Sequence, residues 1–265
     1  MAKVLFKNFS GLNVAHKVKA QSLSGLTVAF AHSHEEVLEA QRLRYKVFAE
    51  EMGANIPYAV DSEGRRIDAD LFDKYCDHLI VRDNASGQVI GTYRILPPHG
   101  ARRAGCSYSE GEFFLTRLAP MRANMVELGR SCVHQNYRSG AVIMLLWKGI
   151  AEYMKAGGYE YLFGCASIGM HDGGLAAATL FRTLERSYMA SPEVHVFPRA
   201  PLPIESLVMD SAPFEAPPLV KGYLRVGAQI CGAPAWDPDF NTADLPMLLS
   251  LSRMSPRYRK HFFGE

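Results

Sequence analysis

The chain has 265 residues, 48% hydrophobic and 21% charged, the balance of a soluble protein with material for a sizeable core. Its net charge of +2 argues against a dedicated nucleic-acid binder, which would be far more basic. The longest apolar run, 141–147, is well short of the roughly 20 residues of a membrane span, and no apolar stretch of signal-peptide length opens the chain.

Residues 1–25 read as a weakly patterned basic leader and 26–265 as a single domain with no repeat or linker inside it. Up to residue 34 the only charged side chains are Lys3, Lys7, Lys17 and Lys19, and the far end carries Arg253, Arg257, Arg259 and Lys260 before Glu265. Either end reads as a solvated tail or as a contact for an acidic partner or an anionic lipid surface. A first short strand is expected at 27–31. Ser33 with Glu36 forms a capping box, and Val37, Ala40, Leu43 and Val47 give the apolar stripe of a helix running to about Met52. Residues 55–75 form a polar stretch too long for an ordinary connection, so it is mobile or functional. Strands follow at 78–82 and 89–96 around an Asn84-Ala85-Ser86-Gly87 turn, and Pro97-Pro98 ends the second. Residues 99–124 read as a loop carrying Arg102, Arg103, Arg117 and Arg122.

Residues 125–133 read as a buried central strand. Ile143, Leu146, Trp147, Ile150 and Met154 then give a helix closed by Gly157-Gly158. Between them Tyr137, Arg138, Ser139, Gly140 and Ala141 stand at the helix entrance, where unpaired N–H groups suit an anion. Glu127 and Arg130 are charges in an otherwise apolar strand, and buried charge is costly unless paired or used. Strict alternation sends them to opposite faces, so a shared site needs a break in the ladder, which a bulge at Gly129 would supply. The alternative is a structural ion pair at a sheet end. A strand at 159–165, a helix at 175–188, a strand at 194–197, a proline-rich connection and elements at 223–231 and 245–251 complete the chain. One mixed α/β sheet with helices on both faces accommodates this order.

Cys76, Cys106, Cys132, Cys165 and Cys231 are widely spaced, as in reduced cytosolic thiols, and neither they nor His32, His34, His171 and Asp172 have metal-ligand spacing. No metal site is expected. No Gly-x-Ser-x-Gly elbow, Gly-x-x-x-x-Gly-Lys loop or Gly-x-Gly-x-x-Gly turn occurs.

Leu43-Arg44-Tyr45-Lys46-Val47-Phe48 with Glu50 and Glu51, Asp73 with Asp77-His78, Gly91-Thr92-Tyr93-Arg94-Ile95-Leu96-Pro97, and Glu127-x-x-Arg130 occur in that order on successive elements. The order of elements resembles the GNAT acyltransferase fold. The motifs resemble its acyl-carrier-protein-dependent branch: homoserine-lactone autoinducer synthases, N-acyl amino acid synthases and ornithine-lipid N-acyltransferases. The stretch from Lys221-Gly222-Tyr223-Leu224-Arg225 through Gly227, Pro234 and Asp237 to Phe240-Asn241-Thr242-Ala243-Asp244 is most similar to the last group.

The resemblance implies an α/β fold whose mostly antiparallel sheet has splayed central strands. It also implies direct attack of an amine on a thioester, most simply transfer of a 3-hydroxyacyl chain from acyl carrier protein to the α-amine of ornithine. Glu127 is then the expected base, and Arg130 the group that holds it ionised and anchors a carboxylate or phosphate. Backbone N–H groups of 128–131 would face the oxyanion. Arg44, Asp73, Asp77, His78, Arg94, Asp237 and Asp244 are the substrate-binding candidates, with the four aspartates unranked as partners of the ornithine side-chain ammonium. His78 is an alternative base or a structural histidine.

The resemblance also makes residues 137–141 the phosphopantetheine site. The GNAT phosphate-loop pattern, Gln/Arg-x-x-Gly-x-Gly/Ala, laid on Arg138 finds Ala141 and Ile143 where glycine and a small residue belong, which suits a carrier protein's single phosphodiester better than the pyrophosphate of coenzyme A. No permanently bound cofactor is expected. Arg102, Arg103, Arg117 and Arg122 are the docking candidates for an acidic carrier protein, or simply an exposed basic loop. An acyl-cysteine route through Cys132 or Cys165 lacks a local basic partner. Two other functions fit the same residues: an N-acyl amino acid synthase using glycine or tyrosine, and a module that binds carrier protein or lipid without turnover. The cytoplasm, with peripheral contact at the inner membrane face, is the expected location.

Overall fold

Short segments of alternating polarity pair in chain order to build the first half of the sheet. In the computed structural model, which describes residues 14–207 and 215–264, β1 (Gln21–Leu23), β2 (Leu26–Phe30), β3 (Asp77–Asp83), β4 (Val89–Leu96) and β5 (Met125–Val133) lie side by side, each antiparallel to the one before. β6 (Tyr161–Gly169) then runs parallel to β5, and β9 (Thr242–Ser250) runs antiparallel to β6. β7 (Gln229–Ile230) and β8 (Ala235–Asp237) both pair with β9. The sheet is mixed and mostly antiparallel, as expected.

Alternation along β3 divides the core. Leu79 and Val81 pack with Val142, Leu146 and Ile150 of α3 (Ala141–Gly157), while Ile80 packs with Leu43, Val47 and Phe48 on the other face. Those last residues belong to α1 (His34–Tyr45) and to the π-helical turn Lys46–Glu51 that continues it, so helices cover both faces. The Ser33–Glu36 capping box forms. α2 (Pro98–Ala104), α4 (Leu175–Tyr188), α5 (Pro218–Val226) and α6 (Pro256–Phe263) complete the helices named here.

Three sequence expectations need revision. Packed structure begins inside the stretch read as a leader: Val14 and Ala15 are buried in the core shared with α3, and Gln21–Leu23 is a strand, whereas Lys3 and Lys7 lie outside the described residues. Residues 99–124 are not a loop but α2, two 3-10 segments (Tyr108–Gly111 and Thr116–Asn124), and Phe113–Phe114 paired with Phe197–Pro198. The prolines misled here, because Pro98 and Pro218 each open a helix at the position where a missing N–H costs nothing. The stretch 223–231 divides accordingly into the end of α5 and β7.

Two irregularities shape the centre. β5 and β6 pair only over Met125–Glu127 with Tyr161–Phe163 and then part. At the vertex a Cβ on Gly164 would stand 2.5 Å from the Leu128 carbonyl oxygen, so only glycine allows the approach. On its other edge β5 carries an extra residue, Thr92 facing Cys132 but Arg94 facing Gly129. Arg130, at φ 52°, makes this bulge rather than Gly129.

Candidate active site

Where β5 and β6 part, a cavity of about 620 Å³ passes between them. On the α3 face its walls are apolar: Trp147, Ile150 and Met154 from α3, Tyr223 and Val226 from α5, and Phe262 from α6. On the α1 face they become polar, with Tyr108, Ser109, Glu112 and Arg130 facing Asp237 and Asp244. The size suits a small-molecule or acyl-chain site. The apolar limb can hold a hydrocarbon chain, and the polar limb a charged acceptor.

The bulge puts Arg130 on the same face as Glu127, as a shared site requires, but the two do not pair. Arg130 donates to Asp68 Oδ2 at 3.1 Å and to the Tyr108 hydroxyl at 2.8 Å. Glu127, 5% exposed, accepts from the backbone N–H groups of Tyr108 at 2.8 Å and Ser109 at 2.7 Å. Burial pushes its carboxyl up against the pull of those donors. Its side chain does not line the cavity, so the structure places the expected base behind the wall. What Glu127 does is pin the 108–111 turn, which carries the Tyr108 ring under Arg130 and leads directly to Glu112.

Most of the expected substrate ligands are also withdrawn from the cavity. Arg44, 1% exposed, donates to Asp68 at 2.8 Å and to both Asp73 oxygens at 2.8 and 2.9 Å. Arg94 donates to Asp70 at 2.7 Å and to Asp73 at 3.2 Å. With Arg130 these form a buried network in which Arg44, Arg94 and Arg130 meet Asp68, Asp70 and Asp73. Burial alone would raise the Asp73 carboxyl, but the Arg44 and Arg94 guanidiniums hold it well below the usual carboxylate range. Burial next to Arg44 lowers His78 to about 4; its Nε2 lies 3.0 Å from the Asp73 carbonyl and its Nδ1 has no partner, so it is a structural imidazole. Asp77 accepts from the Tyr153 hydroxyl at 2.7 Å, also away from the cavity. Arg44, Asp73, Asp77, His78 and Arg94 are therefore scaffold rather than ligand. Of the residues 55–75, the cavity lining takes none; Asp68, Asp70 and Asp73 serve the network, while Asp61 pairs with Arg42 and Arg65.

Asp237 and Asp244 do line the cavity, and they bring a third carboxylate that the sequence reading missed. Glu112 and Asp244, together with the Cys165 thiol, place their ligand atoms within 4.8 Å of one another. Burial, then the charges of Asp244 and Asp237, pushes Glu112 up to about 9; burial likewise raises Asp244. Two such carboxyls in contact resist ionising together. The three groups have the spacing of a cation site, although burial holds the Cys165 thiol well above its ordinary value, which works against a thiolate ligand. Burial pushes Cys132 up to about 12. Neither thiol is activated for an acyl-cysteine. The signal for Glu112 was weak: one acid before the apolar run Phe113-Phe114-Leu115.

At the helix entrance Gly140, at φ 96°, turns the chain into α3. Arg138 lines the cavity, bonded to the Val133 carbonyl at 3.1 Å and paired with Glu51. Tyr137, Ser139, Gly140 and Ala141 are not in the lining, and the Tyr137 hydroxyl is bonded to Asp83 at 3.2 Å. Among the docking candidates, Arg102 and Arg103 are exposed on α2. Arg117 is instead tied to the Pro192 carbonyl and Arg122 to Glu110, so their charges or donors are already engaged.

A twisted, mostly antiparallel sheet whose parallel central strands part around an apolar channel is the architecture of a GNAT acyltransferase. A family model described as an acetyltransferase (GNAT) domain matches residues 43–148. The chain is 39% identical over 261 residues to the L-ornithine N(alpha)-acyltransferase of Brucella abortus (strain 2308), covering 92% of this chain and 90% of that protein. It is 34% identical to the L-ornithine N(alpha)-acyltransferase of Rhizobium meliloti (strain 1021), covering 92% and 86%. Among solved structures, the AHL synthase LasI aligns with a TM-score of 0.52 at 15% identity over 90% of this chain and 95% of that one. FeeM, an N-acyl amino acid synthase from uncultured soil microbes, aligns with a TM-score of 0.52 at 12% identity over 88% and 96%. These two show the shared fold. The chain belongs to the L-ornithine N(alpha)-acyltransferase family, and it is an acyltransferase.

Proposed function

We propose that this enzyme transfers a fatty acyl group, 3-hydroxylated in the simplest reading, from acyl carrier protein to the α-amine of L-ornithine, giving the lyso form of an ornithine lipid. The observation that carries the reading is the two-sided cavity: hydrocarbon walls on one face of the sheet, carboxylates on the other, and the parted strands between. A thioester carbonyl in the split lies beside the 128–131 backbone, whose β6 edge has lost its ladder partner. Those groups can donate to the oxyanion that forms as the amine attacks. The phosphopantetheine arm enters past Arg138 and the start of α3, and a phosphodiester there gains from the free N–H groups of the first turn. The attacking amine passes its proton, directly or through water, to the carboxylates of the polar limb, Asp237 among them.

The relatives' name supports ornithine as acceptor, and so does the wall chemistry, since an acidic limb is poorly matched to glycine or tyrosine. The altered phosphate loop supports the carrier protein over coenzyme A. Arg102 and Arg103 remain available to an acidic carrier. No helix among the described residues is long and apolar enough to cross a membrane. Contact with an anionic membrane surface is supported by α6, which turns Phe262 into the cavity and Arg257 and Lys260 outward.

The test is a mass-spectrometric assay of purified protein with 3-hydroxyacyl carrier protein, the matched acyl coenzyme A and a pool of amino acids, with and without anionic vesicles. Acylornithine from the carrier protein is the expected product. A different acylated amino acid would move the acceptor, and no product from either donor would leave a binding module.

A further inference from the structure

The acids in the interior fall into two groups. Asp68, Asp70 and Asp73 meet Arg44, Arg94 and Arg130, whereas Glu112 and Asp244 have no ion pair with a lysine or arginine among the described residues. The Glu112 Oε2 atom is sealed from solvent and has no hydrogen-bond partner among the described residues, although Glu112 belongs to the wall of the cavity. Asp244, 6% exposed, accepts from the Thr242 hydroxyl at 3.0 Å and is further hydrogen-bonded to the side chains of Glu112 and of Ser167, which stands opposite it on β6. The other titratable groups around the pair are Asp237, Glu127, Cys165 and Tyr108, and the cation on the same wall, Arg130, donates to Asp68, Asp70 and Tyr108. Asp68, Asp70 and Asp73 are met by guanidiniums and Glu127 by two backbone N–H groups, whereas Glu112 and Asp244 line the cavity, where an entering cation can neutralise them.

We propose that Glu112 and Asp244, with Asp237 beside them, are the subsite that selects an acceptor with a second amino group, whose side-chain ammonium docks against the two carboxyls. The inference rests on the acyl-transfer reading and adds to it the residues that set acceptor choice. The α-amine is left free for the thioester in the split, and Arg130, on the same limb, is placed to receive the α-carboxylate. Ammonium and carboxylate are thus held at two ends, with the nucleophile presented between them and the acyl chain across the sheet.

The experiment compares ornithine with norvaline, which has the same chain without the terminal amine, in wild type, Glu112→Gln and Asp244→Asn. The expected wild-type preference for ornithine is about 100-fold in kcat/KM, collapsing to within a few-fold of unity in either variant. An unchanged preference, with both rates lowered together, would overturn the proposal and make the pair part of the chemistry. Calorimetry of ornithine and norvaline binding to the same three proteins gives a readout independent of turnover, with tighter binding of ornithine expected in wild type and lost in both variants, and equal affinities in wild type counting against the subsite. If wild type acylates neither acceptor, the transfer reading fails while this binding measurement still decides the subsite. Thermal unfolding at pH 8 guards against misfolding, because Glu112→Gln removes a strained acid and is expected to melt no lower than wild type. Activity lost to a chelator and restored by a divalent cation would assign the cluster to a metal and overturn the proposal.

Discussion

Glu127 is held by two main-chain N–H groups, and that contact, more than its charge, defines its work. A carboxylate can accept from both Tyr108 and Ser109, but a Gln side chain offers one acceptor and turns an NH2 group toward the other donor. Glu127→Gln is expected to lose about 1–3 kcal/mol of stability. It is also expected to reduce turnover about 10- to 100-fold by loosening the turn that places Tyr108 and Glu112. The shape of the pH–rate profile should survive, because the group that titrates during the reaction lies elsewhere. Loss of the profile's acid limb would make Glu127 itself the base. The same distinction applies to Arg130, whose left-handed backbone aims its guanidinium at Asp68 and Tyr108 instead of at the neighbouring strand residue.

The decisive element is the pair β5 and β6. Their parallel ladder covers three residues on each strand and stops where the Leu128 carbonyl crosses Gly164. A methyl group at that crossing has no room, so Gly164→Ala must push the strands apart at the vertex of the split. The expected cost is about 1–3 kcal/mol, with turnover reduced about 10- to 100-fold. Thermal melts and single-turnover acylation check both, and a variant with unchanged melting and rate would place the vertex elsewhere. The bulge on the opposite edge of β5 belongs to the same design. It lets one strand keep its β4 partner while its middle turns a charged residue toward the site.

The network of Arg44, Arg94, Arg130 and their aspartates joins the first helix to the sheet, and His78 sits against it as a neutral, buried ring. Its folded value of about 4 lies below the ordinary 6.5, so the unfolded chain binds more protons between those pH values. This contribution to stability is complete above pH 6.5 and is lost as pH falls toward 4. Wild type is therefore expected to lose about 3 kcal/mol relative to His78→Gln across that window. Chemical denaturation at several pH values measures the difference, and parallel curves would show that the ring is protonated in the fold. At lower pH still, the depressed Asp73 carboxyl adds a second loss in the same direction. Sequence by itself determined the α/β class, the capped first helix, the central strands and the acyltransferase resemblance, because periodicity, capping and motif order are local properties of a chain. It also identified Asp237, Asp244, Arg130 and Arg138 as charges worth watching. Only the tertiary structure decided which acids are neutralised by arginines and which face the cavity. Glu112 and Asp244 stand more than a hundred residues apart in the chain, and charge becomes function here through a third-dimensional neighbour, through burial, and through which acids the guanidiniums reach, none of which spacing can report.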